Sequence, residues 1–132
     1  MKCPICDNEK CEELIIDLVQ CTNCSHIFKK EMNKDKVPLI THLHMLNENI
    51  IEWIREYVSK NMGETIDFEF PSMILFTMEV KPNDFYNDKF NHYFNQLSLN
   101  ILLERCGLEP IEQINRYQNK ICTTYLRAKK EE

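Results

Sequence analysis

Cys3-Pro-Ile-Cys6 and Cys21-Thr-Asn-Cys24 place four thiols in two pairs, with fourteen residues between the pairs. Two residues between cysteines let one tight turn aim both sulfurs at a single point. Two such turns joined by a short β-hairpin complete the tetrahedron of thiolates that zinc prefers. The pattern predicts a structural Zn2+ held by Cys3, Cys6, Cys21 and Cys24. The module that carries it, about forty residues or fewer, is too small to fold on its own apolar core and relies on the metal instead. His26 follows the second pair, but four cysteines at this spacing leave it no coordination position. It is expected at the surface or capping the knuckle. Cys11, Cys106 and Cys122 are left over and are expected as small buried or surface thiols.

Other residues offer chemistry in weaker patterns. His42 and His44 would face one way on a strand, which suits a metal, but on a helix they diverge by roughly 200°. No carboxylate pattern nearby completes a ligand set. Asp88 and His92 could form an acid/base pair; the plainer expectation is a turn-capping Asp and a surface His. Lys29, Lys30, Lys34 and Lys36 form a local basic cluster, interrupted by Glu31 and Asp35. The net charge is −5, and four zinc-bound thiolates make the ribbon more negative still. The cluster therefore reads as a solvated linker, and direct contact with nucleic acid is not expected.

The elements that must position these residues follow from patterning. The chain has 132 residues, 43% hydrophobic, with two glycines and five prolines, which fits one compact domain or a small module with a modest second unit. No run approaches the ~20 apolar residues of a membrane span, and the first residues lack a signal-peptide core. Thiols without an export signal imply a cytoplasmic protein. Residues 1–36 form the ribbon, with a β-prone run from Leu14 to Val19, and residues 37–132 form the second unit. Asn47 is a helix N-cap; Ile50, Ile51, Trp53, Ile54, Tyr57 and Val58 follow at helical spacing, and Gly63 stops the helix. Ile66, Phe68 and Phe70 alternate with Asp67 and Glu69 as a strand ending at Pro71. Ser72 to Val80 is a second strand or a buried loop, and Lys81 to Lys89 is a turn centred on Pro82-Asn83-Asp84. A second helix runs from Gln96 to Cys106, capped by Asn95 and stopped by Gly107. Ile111–Tyr117 and Lys120–Arg127 are terminal strands joined at Gln118-Asn119. The fold class expected is small α/β, with two main helices and three to five strands after the ribbon.

Several of these segments together resemble one family. Cys-Pro-Ile-Cys…Cys-Thr-Asn-Cys-Ser-His-Ile-Phe is similar to the zinc-binding domain that precedes some S-adenosylmethionine-dependent methyltransferases, including sugar C-methyltransferases. His44-Met45-Leu46, the helix after it, Gly63 and Phe68-Glu69-Phe70-Pro71 resemble the family's helix–strand unit closing on Glu-x-Pro. Tyr93-Phe94-Asn95-Gln96-Leu97-Ser98-Leu99, with Leu103 and Cys106-Gly107-Leu108-Glu109, resembles its Tyr-Phe-Ser-x-x-Ser-Leu…Gly-Phe/Leu helix and following strand. The resemblance covers most of the chain and implies a partial Rossmann-like unit. It also implies that His44 stands where the family's histidine lines the cofactor cleft, and Glu69 where the Glu-x-Pro carboxylate stands.

The departures bear on function. The family's cofactor sits on a Gly-x-Gly turn in the first half of its sheet. Here that half is missing between the ribbon and the helix, and glycines occur only at 63 and 107, so S-adenosylmethionine binding is not expected. The family's Tyr/His–Glu–His stretch is replaced by Asp88, Lys89 and Phe90, and Phe90 cannot take a proton. No catalytic or cofactor-binding residue is assigned, and the expectation leans away from an enzyme. The first expectation is a zinc-binding pseudoenzyme serving as a protein-binding or assembly module. Its partner is a second copy or a methyltransferase-like protein, because half a sheet leaves an open edge that a homo-oligomer would cover. The alternatives are a zinc-ribbon adaptor of transcription or nucleic-acid machinery, and a subunit of a composite S-adenosylmethionine-dependent methyltransferase.

Overall fold

The computed structural model describes residues 2–14, 17–32, 42–60, 63–74, 86–87, 89–118 and 121–131. The turn at Pro82-Asn83-Asp84, most of the segment expected from Ser72 to Val80, Asp88, Lys34, Asp35, Lys36 and Asn119 lie outside them. The N-terminal sheet contains β1 (Cys11–Glu13), β2 (Leu18–Cys21) and β3 (Ile27–Lys29). Its fourth strand, β5 (His92–Tyr93), comes from far along the chain, giving the antiparallel order β1-β2-β3-β5. All three residues of β3 are buried, so its outer edge needs cover. β5 supplies it, and Lys29 N–H donates to Asn91 O at 2.9 Å.

Helix α1 (Ile50–Lys60) follows a single turn of 3-10 helix at Leu43–Met45. Ile50, Ile51, Ile54 and Val58 are its buried stripe, while Glu56 pairs with Lys60 on the solvated side at 2.9 Å. Asn47, expected as the N-cap, lies further out: the helix starts at Ile50 with Asn49 O accepting the Trp53 N–H at 3.0 Å, and Asn47 Oδ1 accepts the Asn49 N–H at 2.8 Å in the turn before it. Helix α2 (Gln96–Arg105) starts with a reciprocal capping box: Asn95 Oδ1 accepts from Ser98 N–H, and Ser98 Oγ accepts from Asn95 N–H. It ends where Gly107 takes φ +70°, a conformation that suits glycine.

The second sheet contains β4 (Thr65–Ser72), β6 (Leu108–Gln118) and β7 (Ile121–Lys130) in the order β4-β7-β6, every ladder antiparallel. Alternation holds along β4, with Ile66, Phe68, Phe70 and Ser72 buried and Asp67 and Glu69 exposed. Pro71 does not end the strand. It pairs with Thr123 inside it, tolerated because β4 is an edge that does not need every donor. Both terminal strands are longer than their apolar runs suggested, β6 starting directly after Gly107. Since β4 and β6 are each antiparallel to β7, they run the same way, and α2 lies in the connection between them: a split β–α–β arrangement. The chain is therefore a small α/β protein.

One apolar core spans the ribbon and the rest. Cys3, Ile5, Val19, Cys24 and Phe28 belong to the same buried cluster as Leu43, Ile50, Phe68, Phe94, Leu99 and Leu126. A parallel bridge between Ser72 and Phe94, with Met73 N–H donating to Phe94 O at 2.8 Å, connects the two sheets. No helix among the described residues is long and apolar enough to cross a membrane.

Candidate metal centre

The two knuckles sit at the same end of the β1–β2 hairpin, where Cys11 at the start of β1 lies opposite Cys21 at the end of β2. Residues 3–6 precede β1, and Cys21 ends β2 with Cys24 in the turn after it. The sulfurs of Cys3, Cys6, Cys21 and Cys24 all lie within 4.8 Å of one another. Cys3 Sγ is 3.7 Å from Cys24 Sγ, and Cys6 Sγ is 3.4 Å from Cys21 Sγ. A tetrahedron with Zn–S bonds of about 2.3 Å has sulfur–sulfur edges of about 3.8 Å, so the four sulfurs fit zinc. Cys3, Cys21 and Cys24 are buried and Cys6 is half-buried, which shields the cluster from water on most sides.

Local backbone chemistry builds this geometry. Ile5 N–H donates to Cys3 Sγ at 3.4 Å, and Asn23 N–H donates to Cys21 Sγ at 3.3 Å. Each turn thus aims an amide at its first sulfur, favouring the thiolate. After the second cysteine of each pair the chain reverses through positive φ, at Asp7 (65°) and Ser25 (61°). Glycine would adopt that conformation freely; Asp and Ser carry a penalty of about 1 kcal/mol each, accepted because the turn must bring the sulfurs together. Asp7 recovers part of it. Arg105, at the end of α2, donates to Ile5 O at 2.7 Å and to Asp7 Oδ2 at 2.7 Å, and this contact lowers the Asp7 carboxyl.

The thiols cannot all ionise without a cation. The hydrogen bond with Cys24 pulls the Cys3 thiol down, and the same contact pushes Cys24 up. Two neighbouring sulfurs share a proton that a divalent metal would displace, so zinc binding releases protons and its affinity falls in acid. A metal held by all four thiolates would be closed and structural, with no open position for a reaction.

Cys11 lies beside the cluster without joining it. It stands directly opposite Cys21 across the β1–β2 ladder. Burial, then the charge of Cys21 and Cys3, holds its thiol up at about 11, so it stays protonated at neutral pH. Cys11→Ser is expected to retain one zinc per chain and to shift the thermal midpoint by less than ~4 °C; zinc content with a melting curve checks this. Cys106 and Cys122 are buried inside the fold, with Cys106 pushed up to about 12 by burial.

His26 and His92 are not surface residues. Both are fully buried. His26 Nε2 lies 3.0 Å from His92 Nδ1, His26 Nδ1 lies 3.1 Å from Ser98 Oγ, and His92 Nε2 lies 3.2 Å from Asn47 O. The carbonyl of Asn47 can only accept, so His92 carries its proton on Nε2 and accepts at Nδ1. His26 then donates from Nε2 and accepts at Nδ1 from the Ser98 hydroxyl. Phe94 packs against both rings, at 4.8 and 5.7 Å between centroids. Burial drives the His26 imidazole well below its ordinary range and His92 to about 4, so both are neutral at pH 7. This chain ties the second knuckle to the start of α1, to β5 and to the first turn of α2. Patterning missed it. The available signal was the repeated His-aromatic setting, His26-Ile27-Phe28 and His92-Tyr93-Phe94, two apolar runs able to pair antiparallel with both histidines on one face.

The remaining candidates do not converge. Glu69 points out from the solvated face of β4, whereas His92 lies in the core. His44 packs edge-on against Phe90 at 4.7 Å, and burial brings it to about 4. Its Nδ1 is buried without a hydrogen-bond partner among the described residues. The His42 ring lies tilted against His44, 5.9 Å between centroids, and lines a shallow groove of about 350 Å³ with Asp67, Glu69, Tyr125 and Arg127. Of the basic cluster, the described members are Lys29, which is buried, and Lys30, which pairs with Glu13.

Comparison with protein-family models, with curated proteins and with solved structures finds no match.

Proposed function

We propose that this chain is a zinc-stabilised, non-catalytic, methyltransferase-like protein that works as a protein-binding or assembly module. The observation that carries the reading is the direction of its acid–base groups. His26 and His92 spend every ring nitrogen on internal hydrogen bonds, and Glu69 faces away from them on an open sheet face. A general base must reach a substrate proton within hydrogen-bond distance, and neither histidine has a ring nitrogen left to do so. The metal set, closed by four thiolates, supports a structural rather than chemical zinc.

The partial Rossmann-like unit belongs to the same reading. It is supported by the element order α1, β4, α2, β6, β7, interrupted only by the short β5 that joins the ribbon sheet, which follows the helix–strand and helix–strand segments of the resemblance, and by the split β–α–β arrangement of β4, α2 and β6. Cytoplasmic placement goes with it, motivated by a cluster that needs reduced thiols.

The test is calorimetric titration of the zinc-loaded chain with S-adenosylmethionine and S-adenosylhomocysteine. No saturable heat with up to millimolar ligand is expected. Micromolar binding of either would contradict the reading and turn attention to His44 and Glu69.

A further inference from the structure

We propose that the outer edge of β6 pairs with the same edge of a second copy, joining two three-stranded sheets into one six-stranded sheet about a twofold axis through Ile114. This deepens the assembly-module reading above by naming the partner and the strand.

Three observations carry it. First, β6 is an eleven-residue edge strand, hydrogen-bonded only to β7. Counting back from the last pair, Gln118↔Ile121, alternation turns the N–H and C=O of Gln113 and Asn115 away from β7, toward the open edge. Among the described residues no backbone group meets them. An edge this long invites pairing unless it is guarded. The guards present are Pro110 and the bulge between Pro110 and Glu112, both confined to one end.

Second, among the described residues, four of the five large hydrophobic side chains left exposed lie on this hairpin: Ile111, Ile114, Tyr117 and Tyr125. Ile114 and Tyr125 are cross-strand neighbours, so the joint would continue an apolar stripe from Tyr125 and Ile114 into their counterparts in the second copy.

Third, the strand is complementary to itself. In an antiparallel pair centred on Ile114, Glu112 meets Arg116 of the second copy, and Arg116 meets its Glu112. Gln113 meets Asn115, amide against amide, in the hydrogen-bonded positions that parity requires. Opposite charges directly across a ladder stabilise it and like charges oppose it. A register one residue away would set outward-facing backbone against inward-facing backbone and lose the ladder.

The experiment is sedimentation equilibrium of the full zinc-loaded chain, with Arg116→Glu, Glu112→Arg and the double exchange. The wild type is expected at about twice the 15.9 kDa of one chain. Each single reversal places like charges across the joint twice and should raise the dissociation constant about 10- to 100-fold. The double exchange restores both pairs and should return it to within about threefold of wild type. Zinc content and Trp53 fluorescence confirm that each variant is folded. Amide exchange adds an independent readout: Gln113 and Asn115 should exchange more slowly as protein concentration rises. A monomeric wild type, single reversals that dimerise unchanged, or concentration-independent exchange at both amides would overturn the proposal. Those outcomes leave the assembly reading standing, whereas S-adenosylmethionine binding by an intact dimer would remove that reading and leave the interface.

Discussion

Cys24→Ser is expected to abolish stoichiometric zinc binding and, with it, the folded state of the whole chain. The reason lies in where Cys24 sits. It is fully buried, and its carbonyl accepts from Asn95 Nδ2 at 3.2 Å, so the second knuckle is bonded directly to the cap of α2. A structural four-ligand zinc contributes about 10–16 kcal/mol of apparent binding free energy in isolated peptides. A domain of this size is stable by only about 5–15 kcal/mol. Losing most of the first is enough to offset the second. Serine leaves a buried hydroxyl where a thiolate should close the tetrahedron, adding an unsatisfied polar group. The measurement is zinc per chain with a thermal melt followed by far-ultraviolet circular dichroism: no bound metal and no cooperative transition. A variant that lost zinc yet melted like the wild type would show that the cluster is not structural.

His92→Ala is expected to cost about 3–5 kcal/mol at pH 7.5, read by urea unfolding of the zinc-loaded protein. The substitution leaves a cavity beside Phe94 and strands two partners, the His26 Nε2 proton and the Asn47 carbonyl. It should also change the pH dependence. Burial holds His92 at about 4 in the folded chain, against about 6.5 when unfolded. Its folded value is depressed, so as pH falls below about 6.5 the unfolded chain takes up a proton that the folded chain refuses. Stability present above pH 6.5 is lost progressively down to about pH 4, by up to about 3 kcal/mol from this residue. His26 and His44, both lowered by burial, act in the same direction, as does protonation of the thiolates. The difference in slope between wild type and variant isolates His92. Identical slopes between pH 6.5 and 4 would mean that the imidazole is not held neutral in the core.

Much of this was legible in the chain. The cysteine spacing announces the cluster because a metal's coordination geometry is local and leaves few ways to meet it. Asn95 and Gly107 mark both ends of α2 by local hydrogen bonding and φ preference, and the alternation of Ile66, Phe68 and Phe70 marks β4. What escaped was long-range. His26 and His92 are far apart in sequence, and nothing local says that each becomes the other's hydrogen-bond partner. His26 looked like a surface group because the metal had no place for it, yet exclusion from the metal is not exposure to water. β5 is two residues long, too short for any periodic signal, and forms only because β3 is buried on every side and needs an edge partner. Pro71 looked like the end of a strand because proline removes a donor, a cost that vanishes at a sheet edge.

The four-cysteine cluster belongs to one core with the rest of the protein, and chelation is the sharpest test of what that core needs. Trp53 is the only tryptophan, sits on α1, and packs against the shared apolar cluster, away from the knuckles in sequence. A strong chelator titrated into the wild-type chain at pH 7.5 should release zinc and shift Trp53 emission to that of unfolded protein. Metal release, fluorescence and circular dichroism should follow a single transition. Zinc released with Trp53 emission and the cooperative melt unchanged would contradict the account: the ribbon would then be an appendage, and the core beneath it would stand without metal.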